Sequence, residues 1–215
     1  FGRTGRSLFN SAVLVDAGGE IRGRYDKMHL VMFGEYVPGG DYWPWLNRFT
    51  PLSTTLAHGS RPAAFEVGPL RVSPSICYET VIPHLIRRQV NEAAAEGREP
   101  DVLINLTNDG WFWGSSELDM HLICGIFRAV ECRKPLLIAA NTGFSAWIDG
   151  DGRVLDQGGR RRPGTILASL GPDPRQSWYL RYGDWFAGMC LLGCVAIAGF
   201  ILLIDPSQSI RRWRL

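Results

Sequence analysis

The segment SPSICYETVIP, Ser73–Pro83, ends an apolar run and leads into a helical pattern, with Cys77 at the junction. Before it, AAFEVGPLRVSPSICYE alternates in the manner of two strands. After it, VIPHLIRRQVNEAAAEG has the spacing of an amphipathic helix that ends near Gly97. A strand running straight into a helix displays Cys77 on a turn where backbone N–H groups point outward and the helix dipole favours a thiolate. A free thiol has a pKa of about 8.5 and needs a base or cation beside it to act as a nucleophile. His84, seven residues on, does not assign a Cys–His pair. Position alone leaves two readings of Cys77 open, a small buried hydrophobe and a displayed nucleophile.

The pattern on either side defines the surrounding architecture. SLFNSAVLVDAGGEIRGRYDKMHL reads as two strands about a Gly-Gly turn, the second leading to Lys27. From Phe33 to about Arg61 the chain is rich in Pro, Gly and Trp and has no sustained period, as in long functional loops. DVLINLTND and LLIAANTG read as buried strands, and FSAWIDGDGRVL as a hairpin about Asp149–Gly152. GTILASL is expected to form a last strand. Between them SSELDMHLICGIFRAVECRKP has helical spacing, with Leu118, Leu122, Ile126 and Val130 on one face and a stop at Pro135. Apolar strands alternating with amphipathic helices predict an α/β layered domain with helices over a sheet.

Composition narrows the function. With 46% hydrophobic and 20% charged residues, the 215-residue chain reads as globular, by default one domain. A net charge of +2, without a basic block interleaved with aromatics, argues against a nucleic-acid partner. The five cysteines show neither a CxxC pair nor zinc spacing, so neither a metal site nor a disulfide framework is expected. Cys124, Cys132, Cys190 and Cys194 read as small buried residues.

WFAGMCLLGCVAIAGFILLI, Trp185 to Ile204, is twenty residues without a charge. About twenty helical residues cross a bilayer core, and this run is expected to be a transmembrane helix rather than a core helix. Arg211, Arg212 and Arg214 follow it, which by the positive-inside rule puts the C-terminus in the cytoplasm and the body outside. The opening FGRTGRSLFN has no initiator Met and no leader pattern, and reads as truncated. Three parts are therefore expected: a catalytic domain over residues 1–180, a span over 185–204 and a basic cytoplasmic tail over 205–215.

Several separate motifs then agree: YDKMHLVMFGEYVP, SICYE, NLTNDGWF and RAVECRKPLLIAANTGFSAWIDGDG, in this order. Together they resemble the carbon–nitrogen hydrolase (nitrilase) superfamily. With RYGDW before a C-terminal span, the chain specifically resembles the apolipoprotein N-acyltransferase family of bacterial membrane enzymes, over nearly all of residues 8 to 205. The resemblance implies a nitrilase-like αββα sandwich, incomplete at its N-terminus, followed by one transmembrane helix. It implies a Glu–Lys–Cys catalytic set in which Lys27 matches the lysine and Cys77 the nucleophile. Glu35 in FGEYVP matches an acidic loop residue that orients or proton-couples the lysine, and Tyr78 and Glu79 match positions flanking the nucleophile. Asn108, Asp109, Trp111, Arg128, Glu131 and Asn141 match positions read as architectural, with Arg128 and Glu131 able to pair on one helix face. Met32 stands where the motif usually has Pro. The general-base glutamate of the family, in a strand ending Trp-Pro-Glu, has no counterpart, and Glu20 stands in the wrong context to replace it.

The implied chemistry is acyl transfer without a cofactor. Cys77 takes an acyl chain from a phospholipid as a thioester and passes it to the amine of a diacylglyceryl-modified N-terminal cysteine on an apolipoprotein. An ammonium near Cys77 favours the thiolate and stabilises the oxyanion, aided by a backbone N–H such as that of Tyr78. The Trp-rich stretches Tyr42–Trp45 and Trp111–Trp113 suit either a membrane interface or ordinary loop packing. Two other readings stand beside this one: an amidase acting on a small C–N substrate, and a non-catalytic membrane-anchored remnant without a general base.

Overall fold

The computed structural model describes residues 8–40, 42–49, 55–112 and 115–204. Two sheets form. The smaller is the antiparallel pair β1 (Ser11–Val15) and β2 (Ile21–Asp26), joined through the Gly-Gly turn. The larger has six strands in sequence order: β3 (Phe65–Val67), β4 (Leu70–Ile76), β5 (Val102–Thr107), β6 (Leu136–Ala140), β7 (Ala146–Ile148) and β8 (Val154–Gln157). Its centre, β4–β5–β6, is parallel, and the hairpins β3–β4 and β7–β8 make it mixed. Parallel neighbours require a crossover of a dozen or more residues. Helices α1 (Pro83–Ala95) and α2 (Glu117–Cys132) lie in the two crossovers.

The in-register row Ser73, Leu103, Leu136 and Ile148 shows which side of the sheet the helices cover. Leu103, Leu136 and Ile148 pack there against Ile86 and Val90 of α1 and Ala129 and Cys132 of α2. Ile76, on the opposite face by strand alternation, packs with Ala12 of β1 and Tyr25 of β2. Helix layer, large sheet and small sheet thus stack in the order expected of a layered α/β domain.

Two local expectations are corrected. GTILASL, residues 164–170, forms no strand. Alternation favours an extended backbone, but a strand also needs a ladder partner, and none of the described strands pairs beyond β8. The buried stripe of α2 is Leu118, His121, Gly125, Arg128, Ala129 and Cys132, while Leu122 and Ile126 are only partly buried flanks. The helix is rotated so that two polar side chains, His121 and Arg128, face inward. It ends at Arg133 in the left-handed region, φ 52°, two residues before Pro135.

A short helix α3 (Trp178–Tyr182) precedes α4 (Trp185–Ile204). Arg87 of α1 holds α3 by donating from Nε to the carbonyls of Tyr179 and Leu180 at 2.9 and 3.0 Å. Asn91 Nδ2 adds a bond to Leu180 O at 3.0 Å. Within α4, Trp185–Leu203 has a mean hydropathy of 2.5 and none of it is buried, so it is long and apolar enough to cross a membrane. Cys190 and Cys194, expected to be buried, are exposed on this helix. The predicted basic tail, residues 205–215, lies outside the described residues, as does Trp113.

Candidate active site

β4 ends at Ile76, and a 3-10 turn, Cys77–Val81, leads from it toward α1. Cys77 takes φ 53°, a left-handed conformation that is rare for a non-glycine residue and costs about 1–3 kcal/mol. The surrounding structure enforces it. The carbonyl of Cys77 lies 3.0 Å from Asn105 Nδ2, 3.2 Å from His121 Nε2 and 3.3 Å from Thr80 Oγ1. Asn105 is itself fully buried on β5, where its amide also donates to Ser75 Oγ at 3.1 Å.

Glu79, two residues on, is fully buried and gathers the turn onto the loop that carries Lys27. Its Oε1 accepts from the backbone N–H groups of Met28 and His29 at 2.8 and 3.0 Å. Its Oε2 accepts from Ile76 N at 2.7 Å, and the Tyr25 hydroxyl lies 2.9 Å from both oxygens. Gln89 of α1 donates to that hydroxyl at 2.7 Å. Burial, then the charge and hydrogen bond of Glu79, push the Tyr25 phenol well above its ordinary pKa, so it stays a donor.

Lys27 is 1% exposed, and its Nζ donates to Glu35 Oε2 at 2.7 Å. Glu35 also accepts from Val31 N at 2.8 Å and from Asn10 Nδ2 at 2.9 Å. Burial opposes ionisation of Glu35, but the bonds from Lys27, Val31 and Asn10 outweigh it and hold its pKa below the ordinary value. The FGEY loop closes on itself, with Phe33 N donating to Tyr36 O at 2.8 Å, and Met32 and Tyr36 form an isolated bridge. The far side of the Lys27 loop is tied by Gly59, whose N–H donates to Lys27 O at 2.8 Å. A Cβ on Gly59 would lie 1.9 Å from Asp26 O, so only glycine permits this approach.

Cys77 and Glu35 line one open cleft of about 830 Å³. Its walls are partly apolar, with Ala12, Leu56, Ile76, Leu106 and Ala139, and partly polar, with Asn10, Asn108, Asn141 and Ser145. Trp111 stands at this cleft and is 66% exposed. Tyr78 is half-buried with its ring 6.4 Å from that of Phe112. Burial, then Glu117 and Cys124, raise its phenol pKa.

The bonds of Glu79 thus tie the Cys77–Val81 turn to the backbone just after Lys27, and Lys27 in turn holds Glu35, which shares the cleft with Cys77. His84 is exposed on α1, and the histidine that reaches the turn is His121, which sequence reasoning passed over. Its signal was its place three residues after Leu118 on the inward stripe of α2. Arg128 and Glu131 do pair, at 2.8 Å, and Asn141 Nδ2 donates to Asn108 Oδ1 at 2.5 Å.

Comparison with known proteins bears on the family and the fold. The chain is 36% identical over 195 residues to an apolipoprotein N-acyltransferase of Rhodopirellula baltica, covering 90% of this chain and 34% of that protein. It is 36% identical over 189 residues to one of Geobacter metallireducens, covering 88% and 35%. The chain thus spans about a third of the length of these curated relatives. In fold it is similar to a CN-hydrolase superfamily protein of Xanthomonas campestris, with a TM-score of 0.58, 20% identity and coverage of 79% and 59%. It is similar also to a nitrilase-superfamily member of Saccharomyces cerevisiae, with a TM-score of 0.51, 15% identity and coverage of 71% and 49%. Since the carbon-nitrogen hydrolase family model matches residues 1–179, which include both sheets and the Cys77 turn, the chain belongs to the carbon–nitrogen hydrolase family.

Proposed function

We propose that the protein takes part in acyl transfer from a phospholipid to the N-terminal amine of the lipid-modified cysteine of an apolipoprotein, by way of a thioester on Cys77. The observation that carries this reading is Cys77, held at φ 53° on a strand-end turn, beside a cleft that also receives the Glu35 partner of buried Lys27. In the first step the Cys77 thiolate attacks the ester carbonyl, Lys27 and the Tyr78 N–H stabilise the oxyanion, and the C–O bond breaks to release a lysophospholipid. In the second the acceptor amine attacks the thioester, the C–S bond breaks and the thiolate returns. The amine gives up a proton, which balances the one the lysophospholipid oxygen takes up in the first. Apolar walls at Leu56, Leu106 and Ala139 suit an acyl chain, and α4 suits a protein that meets its donor in a bilayer. On this reading the body lies outside the cytoplasm and the C-terminus inside, which Arg211, Arg212 and Arg214 support by the positive-inside rule.

The general base is the missing member. Glu35 is the acidic partner of Lys27, and the Trp-Pro-Glu motif of the family does not occur in the 215 residues. The chain alone is therefore expected not to turn over. The test compares it with a longer chain that includes whatever is encoded upstream of Phe1, each incubated with vesicles of acyl-labelled phospholipid. A hydroxylamine-labile acyl adduct on Cys77 of the longer chain, absent in its Cys77→Ser variant, is the expected result. No adduct on either chain, or one retained in Cys77→Ser, overturns the reading.

A further inference from the structure

We propose that Asp109, His121 and Thr80 form a positioning relay that aims the Cys77 turn, with His121 as its central member. The relay rests on the reading of Cys77 as the nucleophile. None of the three residues lines the cleft, so they act through Cys77 and not on a substrate.

His121 is 5% exposed and bridges the turn to the segment that follows β5. On one side its Nδ1 lies 2.9 Å from Asp109 Oδ1. On the other its Nε2 lies 2.8 Å from Thr80 Oγ1 and 3.2 Å from Cys77 O. Asp109 is a fixed anchor: Thr107 Oγ1 donates to its Oδ1 at 2.6 Å, and its own N–H donates to Asn141 Oδ1 at 3.1 Å. Gly143 presses against the same carboxylate, since a Cβ there would lie 2.0 Å from Asp109 Oδ2. Burial works against the charge on Asp109, but the bonds from His121 and Thr107 outweigh it and hold the pKa below the ordinary value. A carboxylate at that distance requires a proton on Nδ1, which fixes the plane and direction of the ring and leaves Nε2 to accept from the Thr80 hydroxyl, so that His121 holds the turn through Thr80.

What the relay holds is the peptide between Cys77 and Tyr78. A strained φ persists only where its surroundings over-determine it, and here Asn105, Thr80 and His121 surround the carbonyl that follows it. The peptide unit is planar and trans, so its N–H points opposite to its C=O. Drawing the Cys77 carbonyl inward toward Asn105 Nδ2, on the side where His121 holds Thr80, therefore turns the Tyr78 N–H the other way. The same contact that fixes the direction of the thiol thus also orients the proposed oxyanion donor.

The test is alkylation of the full chain in detergent micelles by iodoacetamide, with each cysteine followed by peptide mass spectrometry. Cys132, 1% exposed and with its thiol pushed up to about 12 by burial and Glu131, reports any loosening of the fold. His121→Leu should slow Cys77 at least fivefold while Cys132 stays protected, and His121→Gln, which restores a side-chain N–H donor, should recover most of the rate. An unchanged or faster rate at Cys77 in a folded His121→Leu, or a His121→Gln as slow as His121→Leu, overturns the relay. If His121→Leu exposes Cys132, Thr80→Val decides instead: a fivefold loss supports the relay and a wild-type rate overturns it. Wild-type Cys77 reacting no faster than half-buried Cys124 would remove the nucleophile reading itself, and the relay with it.

Discussion

Tyr25 and Glu79, 54 residues apart, meet in the interior with the Tyr25 hydroxyl 2.9 Å from both carboxylate oxygens of Glu79. This contact joins the end of β2, just before Lys27, to the turn that begins with Cys77. The small sheet and the large sheet are thereby locked at the level of the candidate catalytic residues, because the same carboxylate also accepts from Met28, His29 and Ile76.

Glu79→Ala removes the acceptor for four donors at a site with no solvent to replace it. A buried donor left unsatisfied costs about 1–3 kcal/mol. The expected loss is on the order of 3 kcal/mol or more, seen as a lower denaturant midpoint and as new reactivity at Cys132. Glu79→Gln keeps one acceptor oxygen and should lose less. Equal stability of wild type and Glu79→Ala would show that the contact does not hold the two sheets.

The Glu35–Lys27 pair should make stability depend on pH in the acid range. Glu35 has a folded pKa below its ordinary value of 4.5, so its contribution is fully present above that value. It declines as pH falls below 4.5 and is gone once pH drops beneath the folded pKa. Glu35→Gln leaves Lys27 buried beside a neutral group, and breaking a buried pair costs about 3–5 kcal/mol. Thermal unfolding of the two proteins should differ most near neutrality and converge in acid. A gap that stays constant across the acid range would contradict this assignment.

Cys77 itself should be a site where glycine is more stable than alanine. At φ 53° an L-residue is strained, and glycine is not. Cys77→Gly should therefore exceed Cys77→Ala in stability by about 1 kcal/mol, measured by urea unfolding. The reverse order would mean that the turn relaxes in the absence of the thiol.

Local periodicity was sufficient for most of the fold. The strands on either side of Cys77, the helix ending near Gly97 and the apolar helix from Trp185 to Ile204 all appear in the spacing of apolar residues, and the structure has each of them. GTILASL failed because alternation specifies an extended backbone and says nothing about a pairing partner. On α2, the stripe through Leu118, Leu122 and Ile126 runs along the flank of the inner face, because the centre of that face spends two of its positions on His121 and Arg128.

By itself the sequence determined the order of elements and the place of Cys77 between a strand and a helix. These follow from neighbours within a few residues, where backbone geometry repeats every two or 3.6 positions. Only the tertiary structure decided that Glu79 serves Tyr25, Met28 and His29, and that His121 lies between Asp109 and the Cys77 carbonyl. Those partners are brought together by sheet register and by the rotation of α2 against the sheet. Both are set by packing the whole core at once, where a buried polar group must find its partner regardless of distance along the chain.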